Sequence, residues 1–159
     1  MNKLIIAAAF STALLASPAW ADAYVGVGGG SATTDNHESS WKVYGGLQFT
    51  PGWGLELGYT DLGNYHSANT DSWSLAGTGT IPLSQDWSLI GKLGAAWNRP
   101  KFDNGGNHTD LLVGLGIGYA ISKNFGLRLE YEDFGKLTNN SISNAARGSD
   151  VALSLKYNF

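Results

Sequence analysis

The sequence contains no cysteine and few charged residues. Only 14% of its 159 residues are charged, against about 25% in soluble domains. The absence of cysteine excludes small folds that are held together by disulfide bonds. A formal net charge of -3 offers no basic surface to nucleic acid, and the length allows one ordinary domain. The scarcity of charge predicts that something other than water solvates part of the surface.

Long apolar runs are also scarce, and the longest belongs to a predicted secretory signal. A positive start precedes an apolar stretch at residues 4–15, and Ala19-Trp20-Ala21 matches a small-x-small cleavage site. Cleavage after Ala23 matches almost as well. The stretch is shorter than the ~20 residues of a membrane-spanning helix. We therefore expect residues 1–21 to be removed and residues 22–159 to form one domain.

Apolar residues alternate with polar or small ones along the mature chain. From Val151 to Phe159, every large apolar residue has an odd number. A period of two indicates a β-strand with one apolar face. Six further stretches show the same pattern, and a Gly-rich segment from about Tyr24 to Gly30 adds an opening strand, which makes eight. Ile90 and Leu112 interrupt the alternation.

The composition of the two strand faces distinguishes a barrel from a soluble sandwich. The second face is rich in Gly, Ala and Ser, which cannot cover a water-exposed exterior but suit a narrow lumen. Aromatic residues edge the apolar face as two girdles, as in outer-membrane barrels. One girdle comprises Trp41, Tyr59, Trp73, Trp97 and Tyr131, and the other comprises Phe49, Trp53, Trp87, Phe125 and Phe159. We predict an all-β fold, an eight-stranded antiparallel up-and-down transmembrane β-barrel.

Connection lengths predict the orientation of this barrel. Tight turns are expected around Pro51, at Gln85-Asp86 and at Ser122-Lys123-Asn124, whereas long polar loops are expected near 31–40, 62–71, 99–109 and 134–149. Outer-membrane barrels have long extracellular loops and short periplasmic turns. Both termini are therefore expected on the periplasmic side of the outer membrane.

The sequence contains one internal repeat. Residues 53–63 read WGLELGYTDLG and residues 125–135 read FGLRLEYEDFG. The two copies begin the third and seventh predicted strands, half a barrel apart, which suggests duplication of a hairpin unit. Shared membrane constraints explain the aromatic residues but not the common Asp-x-Gly.

With these features the sequence resembles the small eight-stranded outer-membrane proteins of Gram-negative bacteria, namely the OmpA-type transmembrane domain and its OmpX-like and opacity-like relatives. The resemblance rests on the signal peptide, on LELGYTDLG and LRLEYEDFG, and on the ending Leu153-x-Leu155-x-Tyr157-x-Phe159. It implies that Leu155, Tyr157 and Phe159 form a signal for the barrel-assembly machinery. It also implies a monomer among lipid and lipopolysaccharide. OmpA-like proteins continue into a peptidoglycan-binding domain, whereas this sequence stops, so cell-wall tethering is not implied.

Charged residues on the small-residue face are the main candidate site. They are Lys42, Glu56, Lys92, Arg128, Glu130, Glu132 and Lys156. Eight strands enclose little more than their own side chains, so these charges must pair within a nearly dry lumen. We predict an ion-pair network centred on Arg128, Glu56, Lys92 and Glu130 that plugs the barrel. The alternative is a network that rearranges to gate a narrow ion pore, as proposed for OmpA-like barrels.

The three histidines fall in predicted extracellular loops. His37, His66 and His108 lie near acidic residues, and imidazole with carboxylate suits zinc or copper. No pair has a defined ligand spacing, so solvated loop histidines are favoured, and we expect neither metal nor cofactor.

The pair His37-x-Ser39 raises the alternative of an enzyme. It resembles the His-x-Ser pair of outer-membrane lipid A deacylases, in which the serine acts as a nucleophile. The pair here lies in the second strand's loop, and no acid partner is evident. A lipid A-modifying enzyme therefore ranks second among the alternatives, and we expect no enzymatic activity.

The long polar loops complete the prediction of function. Residues 134–149 are rich in Asn and Ser. Such loops on a rigid barrel are where binding to host surfaces or other cells would reside. The sequence thus predicts a structural and surface-interaction role, in envelope integrity and adhesion.

Overall fold

Eight antiparallel strands form a closed barrel in the computed structural model. The structure describes residues 21–33, 37–65, 68–100, 108–136 and 147–159. The strands are β1 (Asp22–Thr33), β2 (His37–Thr50), β3 (Trp53–Tyr65), β4 (Ala68–Pro82), β5 (Trp87–Pro100), β6 (His108–Ala120), β7 (Phe125–Lys136) and β8 (Arg147–Asn158). Consecutive strands pair, and β1 closes the barrel by pairing with β8. The predicted all-β, eight-stranded, up-and-down fold is confirmed.

The exterior of the barrel carries the large apolar side chains at odd-numbered positions. Leu93 is 62% exposed and Leu115 is 59% exposed, while the neighbouring Lys92 and Gly114 are buried in the lumen. An apolar surface that surrounds the barrel is what a lipid-facing wall requires. Across the described part of the chain, no helix has the length and apolar character needed to cross a membrane.

Six large side chains depart from this rule and fill the lumen. They are Tyr24, Tyr44, Leu62, Ile90, Leu112 and Phe134, all buried. Ile90 and Leu112 are the two interruptions that the sequence shows. Leu62 and Phe134 were instead predicted to lie in loops, which is wrong, because β3 and β7 continue through them.

The strands are longer than the apolar pattern indicates. They have 12 to 15 residues, more than the ~9–11 needed to span a bilayer. Pairing continues beyond the apolar band because backbone hydrogen bonds do not require apolar side chains. Of the predicted long loops, 31–40 and 62–71 are therefore wrong, since the strands leave only residues 34–36 and 66–67 between them. Longer connections remain at 101–107 and 137–146.

The two ends of the barrel differ. Residues 51–52, 83–86 and 121–124 connect strands at one end, as predicted, and both termini of the barrel lie there. We call this the turn end and the opposite one the loop end. The predicted signal peptide, apart from Ala21, lies outside the described residues, as do the connections at the loop end.

Aromatic side chains lie together on the outer wall near both ends. At the loop end, the ring of Tyr59 lies 5.4 Å from that of Trp41 and 5.2 Å from that of Trp73. At the turn end, paired rings lie 4.9 to 5.1 Å apart: Trp87 with Tyr119, Phe125 with Tyr157, and Tyr157 with Phe159. Tyr119 and Tyr157 thus extend the turn-end girdle beyond the residues predicted for it.

Candidate functional site in the barrel lumen

Lys92 lies at the centre of a buried group of charges. Its Nζ is 2.5 Å from Oε1 of Glu56, 2.8 Å from Oε1 of Glu130 and 2.8 Å from Oε1 of Glu132. The side chain of Lys92 is 2% exposed. A desolvated ammonium is stable only when such partners surround it. Strand β5 positions it, because Lys92 follows the lumen-facing Ile90 by one period of the strand.

Two further cations complete the group. Lys42 Nζ lies 2.9 Å from Oε2 of Glu130 and 3.0 Å from Oε2 of Glu132. Arg128 Nη1 donates to Oε2 of Glu56 at 2.8 Å. We call these six residues, Lys42, Glu56, Lys92, Arg128, Glu130 and Glu132, the ion-pair network. Three positive and three negative charges balance, so the network is neutral as a unit.

Lys92, one of the four residues predicted at the centre of the network, has three carboxylate partners. The geometry differs from the sequence prediction at one point. Lys156 was expected in the network, but its ammonium has no carboxylate within ion-pair distance among the residues that the structure describes. It lies instead 4.7 Å from the ring centre of Tyr24. Lys156 projects from β8 nearer the turn end.

Two tyrosines that the sequence analysis did not assign to the site contact the network. Tyr24 donates a hydrogen bond to Oε2 of Glu56 at 2.9 Å, and the guanidinium of Arg128 lies 5.2 Å from the ring centre of Tyr44. Each ring lies over a glycine on the neighbouring strand, because Tyr24 pairs with Gly46 and Tyr44 pairs with Gly26. A methyl group at either glycine would overlap the facing ring. This reciprocal Tyr–Gly spacing on β1 and β2 was the available sequence signal.

The lumen is closed on the loop side of the network. Ser40 donates a hydrogen bond to the buried carboxylate of Asp150, which links β2 to β8. Beyond them lies a cluster of buried apolar side chains that we call the apolar plug: Ala32, Leu62, Ala76, Ala96, Leu112 and Phe134. Asn98 donates to the main-chain oxygen of Phe134 at 3.1 Å and helps to fix this cluster. The side chains of the plug themselves offer no polar group to a permeating ion.

The turn end is open. A cavity of about 510 Å³ enters the barrel there, and we call it the vestibule. Arg128, Lys156 and Ile90 line its inner part, and residues of the short turns such as Asp86 and Lys123 line its mouth. Water from this side therefore reaches the edge of the network.

The remaining candidate residues do not form a site among the described residues. No three His, Asp or Glu side chains in the described ranges come together in a way that could hold a metal ion. The side chains of His37, His66 and His108 lie outside the described residues. Ser39 is exposed on strand β2.

Comparison with protein families decides the identity of this barrel. The outer membrane protein beta-barrel domain family matches residues 4–159, almost the whole chain. The chain belongs to this family. The predicted small eight-stranded outer-membrane β-barrel is thereby confirmed, and the outer membrane is its location. No curated protein matches the sequence significantly.

Solved structures of outer-membrane proteins share the fold of this family member. Ail, the attachment invasion locus protein of Yersinia pestis, solved with the heparin analogue sucrose octasulfate, is 19% identical, with a TM-score of 0.57 over 87% of this chain and 97% of Ail. The N-terminal barrel domain of Pseudomonas aeruginosa OprF is 14% identical, with a TM-score of 0.60 over 87% and 99%. The outer-membrane enzyme PagL is 16% identical, with a TM-score of 0.55 over 84% and 97%. At these identities the likeness concerns the fold alone.

Proposed function

We propose that this protein is a non-enzymatic, monomeric outer-membrane barrel that supports envelope integrity and presents its loops for adhesion, while its lumen stays closed. The observation that carries the proposal is the double closure of the lumen by the neutral ion-pair network and the apolar plug. A rigid, sealed barrel adds no leak to the membrane and holds its loops at a fixed spacing. Lipid and lipopolysaccharide are its surroundings.

A narrow gated pore is the competing function. An ion crossing the barrel would have to separate the pairs around Lys92 and then pass the closely packed apolar side chains of Leu62, Leu112 and Phe134. We therefore expect no channel events in planar-bilayer recordings of the wild type. The Arg128→Ala variant should be silent as well, because the apolar plug remains. Reproducible conductance steps in the wild type that change in Arg128→Ala would support the pore and contradict the closed barrel.

Adhesion belongs to the loop end. Ail, which shares the fold, is described as an attachment protein and has been solved with a heparin analogue. We extend attachment to this chain as a proposal and place it in residues 137–146, the longest connection. Replacing this segment with Gly-Ser residues of equal length should reduce bacterial adhesion to host cells while leaving outer-membrane levels unchanged. Equal adhesion at equal levels would contradict the role of this loop.

We also propose that the barrel is oriented with both termini on the periplasmic side, because its short turns lie at that end. The chain has no cysteine, so single-cysteine variants report one position each. A bulky, membrane-impermeant maleimide should label Thr109→Cys, at the loop end, in intact cells. Lys123→Cys, on a short turn, should react only after the outer membrane is permeabilised. The reverse labelling pattern would show that the barrel has the opposite orientation.

Assembly of the barrel is proposed to depend on its last residues. Leu155 and Phe159 are exposed on the outer wall of the closing strand, and Tyr157 packs against Phe159 at 5.1 Å. We propose that the assembly machinery reads these three side chains. Removing Phe159 should lower the outer-membrane level of the protein without preventing refolding in detergent. Unchanged levels would contradict this assignment.

Lipid A modification is the second alternative, favoured by the exposed position of Ser39 and by the fold shared with the enzyme PagL. Our proposal expects identical lipid A mass spectra from cells that express the wild type or Ser39→Ala. A species present only with the wild type would establish an enzyme.

A further inference from the structure

The inner part of the vestibule carries a positive charge that has no described carboxylate within ion-pair distance. The six charges of the ion-pair network balance one another, and Lys156 is additional to them. Its ammonium contacts the face of the Tyr24 ring at 4.7 Å, which leaves its N–H groups without an acidic partner among the described ion pairs. Arg128 lines the same cavity. A cation at the bottom of a low-dielectric cleft concentrates anions there.

The wall beside these cations leaves room for a ligand. In the strand register, Arg128 faces Gly118 across β6 and β7, and Lys156 faces Gly126 across β7 and β8. Ser88 and Ile90 fill the space at Gly118, whereas no side chain lies within 4 Å of a methyl group placed at Gly126, so the wall beside Lys156 is the open one. The resulting cavity of about 510 Å³ is within the range of small-molecule sites, ~300–1,000 Å³.

Further polar groups line the vestibule, and its charged groups differ between the mouth and the inner part. Gln48, Thr80 and Ser88 also line it and supply amide and hydroxyl donors. The charged groups at the mouth are Asp22, Asp86 and Lys123, which lie at the turn end. An anion that enters thus passes a mouth of mixed charge and reaches hydrogen-bond donors and Lys156 inside. This arrangement favours a ligand whose charge is concentrated at one end.

We propose that the vestibule is a binding site for a phosphate-bearing small molecule, with Lys156 as its principal contact. A phosphate group offers several acceptor oxygens, which match an ammonium together with neutral hydroxyl and amide donors. The group comes either from a free phosphate compound or from a lipid headgroup that reaches in from the adjacent leaflet. The chemistry recognised is the same in both cases.

The test uses the full-length barrel purified in an uncharged detergent, with pyrophosphate as the free probe and a short-chain phosphatidate as the lipid probe. Isothermal titration calorimetry should show binding of at least one probe. Lys156→Met should weaken it by about tenfold or more, because a hydrogen bond to a charged group is lost. Lys156→Arg should retain it, and Lys123→Met, at the mouth, should change it by no more than about twofold.

Each outcome is decisive. Lys156-dependent binding of pyrophosphate identifies a site for free phosphate compounds, and Lys156-dependent binding of phosphatidate alone identifies the lipid headgroup. The proposal is overturned if the barrel binds neither probe. It is also overturned if the wild type and Lys156→Met bind equally. Heat-modifiable migration on gels checks that each variant is a folded barrel, and we expect Lys156→Met to fold, since Lys156 takes no part in the ion-pair network.

Discussion

Removal of the central ammonium is the sharpest test of the ion-pair network. In Lys92→Met, a side chain of similar length fills the same space, so the change is electrostatic. Glu56, Glu130 and Glu132 lose a partner at 2.5 to 2.8 Å, and only Lys42 and Arg128 remain to balance three carboxylates. Breaking a buried ion pair by removing one partner costs ~3–5 kcal/mol. We expect a loss of this size in the free energy of unfolding.

The measurement is urea unfolding of the refolded barrel in lipid vesicles, followed by tryptophan fluorescence. Lys123→Met serves as the matched control, because Lys123 is exposed on a short turn and its loss should change stability by no more than about 0.5 kcal/mol. A loss below about 1 kcal/mol for Lys92→Met would refute the view that the network is dry and mutually dependent.

A second substitution separates charge from shape. Lys92→Met combined with Glu132→Gln restores neutrality, with two carboxylates facing two cations. The double variant should recover about 1–3 kcal/mol of the loss, the usual coupling between contacting residues. If the two losses simply add, the cost of Lys92→Met arises from packing and the electrostatic argument fails.

Three further predictions test the parts of the lumen around the network. Gly26→Ala should lower the free energy of unfolding by about 1–3 kcal/mol, because the added methyl group displaces the Tyr44 ring. Gly29 is the control, because a methyl group there would lie on the outer wall with its nearest contact at 3.6 Å, so Gly29→Ala should be close to neutral in urea unfolding. Phe134→Ala should cost ~3–5 kcal/mol by opening a cavity in the apolar plug, yet its bilayer recordings should remain silent because the network still closes the barrel. Gly135→Ala should cost ~1–2 kcal/mol or more, since Gly135 has a φ of 72°, and a normal unfolding midpoint would contradict this.

The sequence predicted the barrel because alternation is a property of the wall itself. Every strand that spans a bilayer must expose apolar groups on one face and small or polar groups on the other, so fold and facing are encoded locally. The same parity placed Lys92 and Glu130 inside. Parity does not predict which carboxylate each ammonium contacts, because strand tilt and stagger decide which residues lie at the same height in the lumen. Lys156 was therefore grouped with charges that it does not contact.

Strand ends were the least predictable feature, for a related reason. Hydrophobic alternation reports where a strand meets lipid, and β1 to β4 continue past that boundary as polar hairpins. Leu62 lies in the polar continuation of β3, and Phe134 lies in that of β7. A single apolar residue among polar ones carries no periodic signal, so the apolar plug was not evident from the sequence.

The internal repeat explains how these two residues come to meet. Both copies end in Asp-x-Gly, and in both the strand register shifts there, between Asp61 and Asn64 and between Asp133 and Lys136. In the second copy, Asp133 Oδ1 accepts a hydrogen bond from the main-chain nitrogen of Gly135 at 2.8 Å, which holds the bulge in place. The residue between Asp and Gly is buried in the plug in both copies, as Leu62 and as Phe134. A duplicated hairpin would thus have supplied two bulges half a barrel apart, each beginning beside an even-numbered apolar residue that strand alternation places in the lumen. The Asp-x-Gly that membrane constraints leave unexplained thus marks the point where the regular register ends, next to the apolar plug.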